Sequence, residues 1–363
     1  MTMDFLPEMP DKQNKTEKPL KIRRLKKITK GALVVVMTVL VLVLALQFAN
    51  DRLFGDKTIE ARTNADFKEK QKQVRLLFLG ASDMKSALIP SAFDGPAFNY
   101  AIHNEFYIGS YFKLKKCIDD MPALEMAVLP VSPGSFLSCW SLRTDVPAFA
   151  FMDSDDFDEL YQAQGMITVF QKLRRYYYVM NPSRFKEFLG NLGDLVLNRP
   201  IRQAEMSDGY RKYTGTTSAP EKAAVKARTY FSRSEPFDKY MLLYFKKILQ
   251  LCHNRGIRVV TVTLPNAKPY IETAQTYVTM DQVADRVLDH PDYRPYIWKH
   301  FNFLELYSDR QDLFFDANHL NHEGAVMLSE RLASSLNKMN WSGKDPFSAG
   351  TGGRADANAG IPE

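Results

Sequence analysis

The longest apolar run of the chain covers residues 31–49, nineteen residues without a charged side chain. As a helix rising 1.5 Å per residue, this run would be about 28 Å long, close to the roughly 30 Å hydrocarbon core of a bilayer. A signal-peptide core usually covers only about 7–15 residues and ends at a small-x-small cleavage site, and no such site follows Leu46. Core strands are shorter than this run. The pattern therefore predicts a transmembrane anchor.

Shorter apolar runs follow a polar segment, residues 50–73, that we interpret as a stalk leading away from the bilayer. We expect strands at residues 74–80, 97–101, 124–131 and 257–264, with a fifth at 301–306. Helix-like sequence separates them, including a helix over 237–254 that ends at Arg255-Gly256. Continuous apolar strands that alternate with helices indicate an α/β domain, here residues 74–340, whose parallel sheet is covered on both faces.

The third and fourth expected strands are separated by a long section rich in aromatic and basic side chains. We interpret residues 150–236 as a mostly helical insertion, with a loop near 204–219. Its run at residues 174–178, RRYYY, fits either an amphipathic helix packed through its tyrosines or a groove for a polysaccharide or membrane. Residues 341–363 are rich in Gly, Ala and Pro, without periodicity, and are expected to form a disordered tail.

Charge is concentrated at the start of the chain. Of the net charge of +6, residues 1–30 carry +5, and the other 333 residues carry +1. A nearly neutral body argues against a nucleic-acid-binding domain, and we expect no nucleic-acid partner. Lys and Arg beside a membrane span are retained in the cytoplasm, so residues 1–30 are expected to be a cytoplasmic tail. The chain is then a single-pass membrane protein with an exported C-terminal domain.

The cysteines give little information. Cys117, Cys139 and Cys252 are widely spaced and form no CxxC pair. An odd number outside the cytoplasm permits at most one internal disulfide, and three buried thiols fit equally well. Metal-binding, Walker and GxGxxG patterns are absent, so we expect no metal site and no cofactor.

Two short motifs carry candidate chemistry. Ser82, in LGASD, follows the first expected strand, and ligands of parallel sheets bind outside the carboxyl ends of the strands. Alone, this serine fits ordinary turn or helix-cap chemistry as well. Asp316 precedes His319 by three residues, so one turn can bring its carboxylate to Nδ1 of the imidazole and leave Nε2 free as a base. Alternatively, Asp316 or Asn318 caps the last helix, and His319 is a loop histidine.

Together the motifs form a recognisable order. A serine hydroxyl is a weak nucleophile until an oriented base takes its proton. A Gly-x-Ser after the first strand and an Asp-x-x-His before the last helix resemble SGNH/GDSL-type hydrolases. The segments LFLGASD, FNYAIHN, AVLPVSPGSF, VVTVTLP and FFDANHLNHEGA are similar to the membrane-anchored branch, which includes the D-alanyl transfer protein of teichoic acid synthesis and alginate O-acetylation proteins. The resemblance implies a three-layer α/β/α, flavodoxin-like fold.

The resemblance also implies roles for individual residues. Ser82 would be the nucleophile, His319 the general base and Asp316 the orienting carboxylate. The Ser82 N–H and a donor near His103-Asn104 would form the oxyanion hole. Asn99 and Ser132 complete the candidate substrate residues, although Asn99 also suits the backbone at a strand end. His322 is expected to be solvated at the start of the last helix.

The chain departs from the family at two blocks. Esterases of the superfamily usually have a Gly in the conserved block after the second strand and a Gly-x-Asn in the block at the third strand. At the corresponding places this chain has Asn104 and the segment LPVSP, which contains Ser132. Losing one oxyanion donor typically costs about 10²–10³ in rate, so the departures argue against efficient free hydrolysis.

The resemblance implies an extracytoplasmic serine acyl-esterase or O-acyltransferase acting on a cell-surface polysaccharide. The protein would lie in the bacterial inner membrane with its domain in the periplasm or outside the cell, beside a membrane-bound O-acyltransferase. The alternative is a non-catalytic SGNH-like module that binds glycan or an assembly partner.

Overall fold

The structure is a computed structural model of the 363-residue chain. It describes residues 17–54, 59–138, 151–153, 155–156, 158–159, 182–197, 199, 205–216 and 220–341. Residues 1–16, Cys139, the RRYYY run and the C-terminal segment from residue 342 lie outside the described residues. The chain divides into two compact units, one made of Met1–Asp56 and Leu173–Ile201, the other of Lys57–Lys172 and Arg202–Glu363.

The first unit contains two described helices. Helix α1 covers Glu17–Phe54, and its part Gly31–Phe54 is long and apolar enough to cross a membrane, with its side chains almost entirely exposed. Helix α5 covers Pro182–Val196 and packs against the end of α1, where the rings of Phe54 and Phe188 meet edge to face with centroids 5.9 Å apart. The expected apolar helix is confirmed, and it continues into the segment interpreted as a stalk.

The second unit is built on a five-stranded parallel sheet. Its strands are β1 (Leu76–Phe78), β2 (Ala97–Asn99), β3 (Met126–Pro130), β6 (Arg258–Thr263) and β7 (Ile297–Asn302), in the order β2-β1-β3-β6-β7. The chain adds β2 on one side of β1 and all later strands of the sheet on the other side, so the order in which strands are added reverses between β1 and β3. The prediction of an α/β domain with a parallel sheet is confirmed.

Both faces of the sheet are covered. Successive side chains of a strand point to opposite faces, so Leu77 and Leu129 join one buried cluster, and Leu76 and Val128 join the other. Apolar runs without alternation are explained by this double burial. Helix α2 (Ile59–Lys70) inserts Phe67 into the first cluster, so this part of the expected stalk is a packed element of the domain.

The remaining helices surround the sheet. They are α3 (Ser82–Ala87), α4 (Tyr107–Cys117), α6 (Pro220–Phe231), α7 (Lys239–Asn254), α8 (Lys268–Gln275), α9 (Met280–Val283) and α10 (His322–Asn337). In α7 the buried residues recur at helical spacing, the Asp238 carboxylate caps the first N–H groups, and Gly256 at φ 68° follows the last turn. This helix lies close to its predicted range.

Two local predictions are wrong. The fifth strand covers Ile297–Asn302, four residues earlier than the apolar run at 301–306, because β7 lies at the sheet edge and is only partly buried. The expected loop near 204–219 contains an antiparallel hairpin of β4 (Met206–Ser207) and β5 (Tyr210–Arg211). The hairpin is joined to β2, since the Asn99 N–H donates to the Asp208 carbonyl at 2.9 Å.

Cys117 and Cys252 are free thiols buried in the domain. Burial raises the pKa of each thiol to about 12. Both are therefore protonated at neutral pH and are poor nucleophiles.

Candidate active site

Ser82 is the first residue of α3 and follows the carboxyl end of β1. The residue before it, Ala81, has no side chain that can cap the helix. N–H groups in the first turn of a helix have no partner within the helix. Ser82 therefore presents two groups, its hydroxyl and a backbone N–H that can donate to an acceptor on a bound ligand.

The turn before Ser82 depends on a glycine. Gly80 has φ 135°, a conformation that side chains other than hydrogen rarely permit. A Cβ added at this position would lie 2.8 Å from Cγ of Pro130, the last residue of the neighbouring strand β3, and 2.9 Å from Cγ of Met84. Gly80 therefore lets the chain pass close to Pro130 on its way to Ser82.

The loop before α10 holds Asp316 and His319 together. Oδ1 of Asp316 accepts hydrogen bonds from the backbone N–H groups of Asn318 and His319, each at 3.1 Å. The Phe315 N–H donates to the His319 carbonyl at 2.9 Å and closes the turn. Helix α10 is capped by Asn321, whose side chain accepts from the Gly324 N–H, so capping does not occupy Asp316 or Asn318.

The three side chains of the two motifs form one hydrogen-bonded series. Oγ of Ser82 lies 2.8 Å from Nε2 of His319, and Nδ1 of His319 lies 2.9 Å from Oδ1 of Asp316. With the carboxylate accepting from Nδ1–H, Nε2 is left as the acceptor for the serine hydroxyl. The tertiary structure thus brings Ser82 to His319, which lies 237 positions later in the chain.

Asp316 is held in its charged form. Burial by itself would raise the pKa of this carboxyl, but hydrogen bonds and charge from His319 and Lys226 lower it well below its ordinary value. The Lys226 ammonium lies 2.9 Å from Oδ2, the oxygen that His319 does not use. Lys226 comes from α6, inside the insertion, and no motif in the sequence pointed to it.

Aromatic side chains pack against the loop that contains Asp316 and His319. The ring of Tyr213 stacks on Phe315 with centroids 4.4 Å apart and meets His319 edge to face at 5.9 Å. The Arg211 guanidinium lies 4.8 Å from the centroid of Tyr213. Arg211 at the end of the β4–β5 hairpin and Tyr213 just after it therefore restrict the movement of the imidazole, and nothing in their sequence pattern revealed this.

A cleft of about 390 Å³ opens beside Ser82 and His319. It lies outside the carboxyl ends of β1 and β3, where the chain reverses direction and where open α/β sheets bind ligands. Residues from α4, α6 and α8 complete the walls, and the aromatic ones are Phe106, Tyr107, Tyr230, Phe231 and Tyr270. The cleft can accommodate an apolar group next to the serine hydroxyl.

Of the four other expected site residues, two line the cleft and two do not. Asn104 and Ser132 line the cleft. Asn104 is exposed and has a left-handed backbone, φ 55°. The Ser132 hydroxyl lies 3.0 Å from Oγ of Ser135, which also accepts from the Ser132 N–H.

His103 and Asn99 do not line the cleft. Nε2 of His103 accepts from Nη1 of Arg211 at 2.5 Å. Asn99 is buried, its amide donates to the carbonyls of Met84 and Leu88, and its Oδ1 accepts from the Ala101 N–H. Both expectations of a role in binding are therefore corrected, since Asn99 ties the end of α3 to β2 and His103 contacts the hairpin.

His322 begins α10 as expected but is not a solvated residue. It is half-buried, and Nδ1 lies 3.0 Å from the hydroxyl of Tyr210. The backbone N–H of His322 donates to the Tyr213 carbonyl at 2.8 Å. These contacts join the hairpin segment to α10, the helix that follows the loop of Asp316 and His319.

A buried ion pair lies behind one wall of the cleft. Lys113 in α4 contacts Oε2 of Glu105 at 2.5 Å, and Ser110 donates to Oε1 at 2.7 Å. Both charged side chains are almost fully inaccessible. Burial raises the pKa of Glu105 and lowers that of Lys113. Because Glu105 and Ser110 line the cleft, the pair fixes part of its wall.

No known family model matches this chain, and a search of curated proteins finds no match either. No group of three metal-ligating side chains occurs among the residues that the structure describes.

Proposed function

We propose that this protein is a membrane-anchored, extracytoplasmic serine acyl-esterase or O-acyltransferase that acts on a cell-surface polysaccharide. The observation that carries the proposal is the Ser82–His319–Asp316 series, with distances of 2.8 and 2.9 Å, opening on a cleft. A serine, an oriented base and a carboxylate in this geometry favour acyl transfer.

The chemistry needs two half-reactions. Oγ of Ser82 attacks the carbonyl carbon of an ester while Nε2 of His319 takes the hydroxyl proton. His319 then gives that proton to the leaving alcohol, and the acyl group stays on Ser82. In the second half-reaction, His319 deprotonates a sugar hydroxyl or water, which attacks the acyl carbon, and the proton returns to Oγ of Ser82.

The negative charge that forms on the carbonyl oxygen needs donors. The Ser82 N–H, in the first turn of α3, and Asn104, which also lines the cleft, are the groups we assign to this task. Asp316 remains ionised and stabilises the imidazolium that forms during both half-reactions.

The resemblance to the anchored SGNH-like branch provides the substrate class. The strand order β2-β1-β3-β6-β7 is that of flavodoxin-like sheets and supports this resemblance. The apolar helix and the basic residues before it support an N-in, single-pass topology in a bacterial inner membrane. The proposed partner is a membrane-bound O-acyltransferase that brings the acyl group across the bilayer.

Labelling with a fluorophosphonate tests the enzymatic proposal. The full-length protein in detergent should react at Ser82, and Ser82→Ala and His319→Ala should abolish or strongly slow labelling. Ser335→Ala, the same change on α10 away from the cleft, should react normally. Loss of a member of a triad typically costs about 10⁴–10⁶ in kcat, so acylation of the polymer in cells should also disappear. Normal labelling or normal polymer acylation in Ser82→Ala would overturn the proposal.

One observation favours a second candidate, a non-catalytic module that binds glycan. Ser132 stands in the block where SGNH esterases have an Asn donor, and its hydroxyl is engaged with Ser135. If the wild-type protein does not react and Ser82→Ala cells acylate normally, while the purified protein retains polysaccharide in a pull-down, this second function replaces the first.

A further inference from the structure

Helix α5 has an apolar face that is largely unburied. Phe185, Phe188, Leu189, Leu192, Leu195 and Val196 recur at the spacing of a helix face, and together they cover about a third of its circumference. Phe188 is buried, but Leu189 is 49% exposed, Leu195 46% and Val196 76%. Exposed apolar side chains gathered on one face indicate an interaction surface.

The position of α5 along α1 limits what can cover this face. If the hydrocarbon core begins at Gly31, where the charged residues end, about 20 residues of helix cross it and the core ends near Asn50. Phe54 is one turn further along, about 6 Å outside the core and therefore at the level of the lipid headgroups. Phe188 contacts Phe54 at this level.

The polar side of α5 fits the same environment. Gly190, which has open space around it, and the exposed Lys186 lie away from the apolar face. Amphipathic helices of this kind bind membranes with the apolar face about 5–10 Å deep, at the boundary of headgroups and acyl chains. If α1 spans the membrane, lipid surrounds it at this depth.

We propose that α5 is an interfacial helix that inserts Leu189, Leu195 and Val196 into the outer leaflet beside the anchor. The membrane surface is its partner, and the helix supplies a second attachment of the chain to the bilayer. The inference rests on α1 spanning the membrane, and it is independent of the chemistry at Ser82.

Quenching by brominated phospholipids tests the proposal on the full-length protein in bilayer discs. Leu189→Trp and Val196→Trp place a fluorophore on the apolar face, and Gly190→Trp places one on the adjacent polar side of the same turn. The unsubstituted protein provides the background of the three native tryptophans. Lipids brominated near the headgroup end of the acyl chain should quench the first two added fluorophores at least about twofold more strongly than the third, given the insertion depth above.

Flotation of the same samples shows separately whether α1 holds the protein in the bilayer. Equal quenching of all three added tryptophans, or none, in protein that floats with lipid would overturn the interfacial assignment. Absence of flotation would overturn the anchor and, with it, this proposal. Fluorophosphonate labelling is a separate readout, so failure of the enzymatic proposal is distinguishable from either result.

Discussion

The ammonium of Lys226 lies 2.9 Å from Oδ2 of Asp316, the carboxylate oxygen that faces away from His319. The insertion therefore contacts the third member of the Ser–His–Asp series directly, through α6. The carboxylate is fully engaged, with Oδ1 bound to the histidine loop and Oδ2 to the lysine. This relationship makes Lys226 a positioning residue for the site.

Replacing Lys226 should have a modest effect. The Lys226 side chain is 42% exposed, and exposed ion pairs contribute about 0.2–1 kcal/mol. An energy of about 1 kcal/mol corresponds to about a fivefold change in rate, so Lys226→Met should slow fluorophosphonate labelling by up to about fivefold. Lys226→Arg should retain the wild-type rate. The difference between wild type and Lys226→Met should shrink in high salt, which screens the pair. A loss independent of salt and not restored by Arg would contradict the ionic role.

Asp316 should make stability depend on pH. Its pKa is lower in the folded protein than in the unfolded chain, so its stabilisation is fully present above the unfolded pKa, about 3.9, and is lost as pH falls below that value. Asp316→Asn should lower the free energy of unfolding by about 1.5–3 kcal/mol at pH 7, the usual contribution of hydrogen bonds to a charged group. Urea unfolding in detergent should show this difference shrinking at pH 3. Asp309→Asn, on the surface, should show no comparable effect.

Glu105 and Lys113 should be strongly coupled. Lys113→Met leaves a buried carboxylate without its cation, which typically costs about 3–5 kcal/mol of unfolding free energy. The double variant Glu105→Gln/Lys113→Met removes both charges of this pair and should recover part of that loss. Fluorescence of the buried Trp341 can report unfolding. Lys115→Met removes a half-exposed partner of Asp156 and should cost at most about 1 kcal/mol. Equal losses for the single and double Glu105/Lys113 variants would contradict the coupling.

Gly80→Ala should displace Ser82. The new methyl would lie within 3 Å of both Pro130 and Met84, at a backbone conformation that alanine rarely adopts. A shift of about 1 Å in a reacting group can cost about 10²-fold in rate, and labelling should fall by that order. Gly193→Ala, made in open space on α5, is the matched control and should label normally. Unimpaired labelling of Gly80→Ala would show that the turn tolerates a side chain.

Much of the framework could be predicted from local sequence. The doubly buried strands β1, β3 and β6 appear as apolar runs because both of their faces are covered. The Asp316–His319 turn is local too, since its hydrogen bonds join residues three positions apart. The apolar run at 301–306 misplaces strand β7, because β7 is only partly buried and its hydrophobic signal is correspondingly weak.

The amino-acid sequence by itself determined the apolar helix, the parallel sheet and the two motifs with Ser82 and with Asp316 and His319. Only the tertiary structure decided that Ser82 meets His319, that Lys226 and Tyr213 contact the Asp316–His319 loop, and that Asn99 binds backbone instead of lining the cleft. The physical reason is how far apart the contacting residues lie along the chain. Burial periodicity and tight turns depend on neighbouring residues. The contacts that Ser82, Lys226 and Tyr213 make with the Asp316–His319 loop join segments about 90 to 240 positions apart, which only the packing of α6, the hairpin and α10 onto the sheet brings together. The Asn99 amide is closer in sequence to its partners at the end of α3, but it meets them only because α3 and β2 pack together.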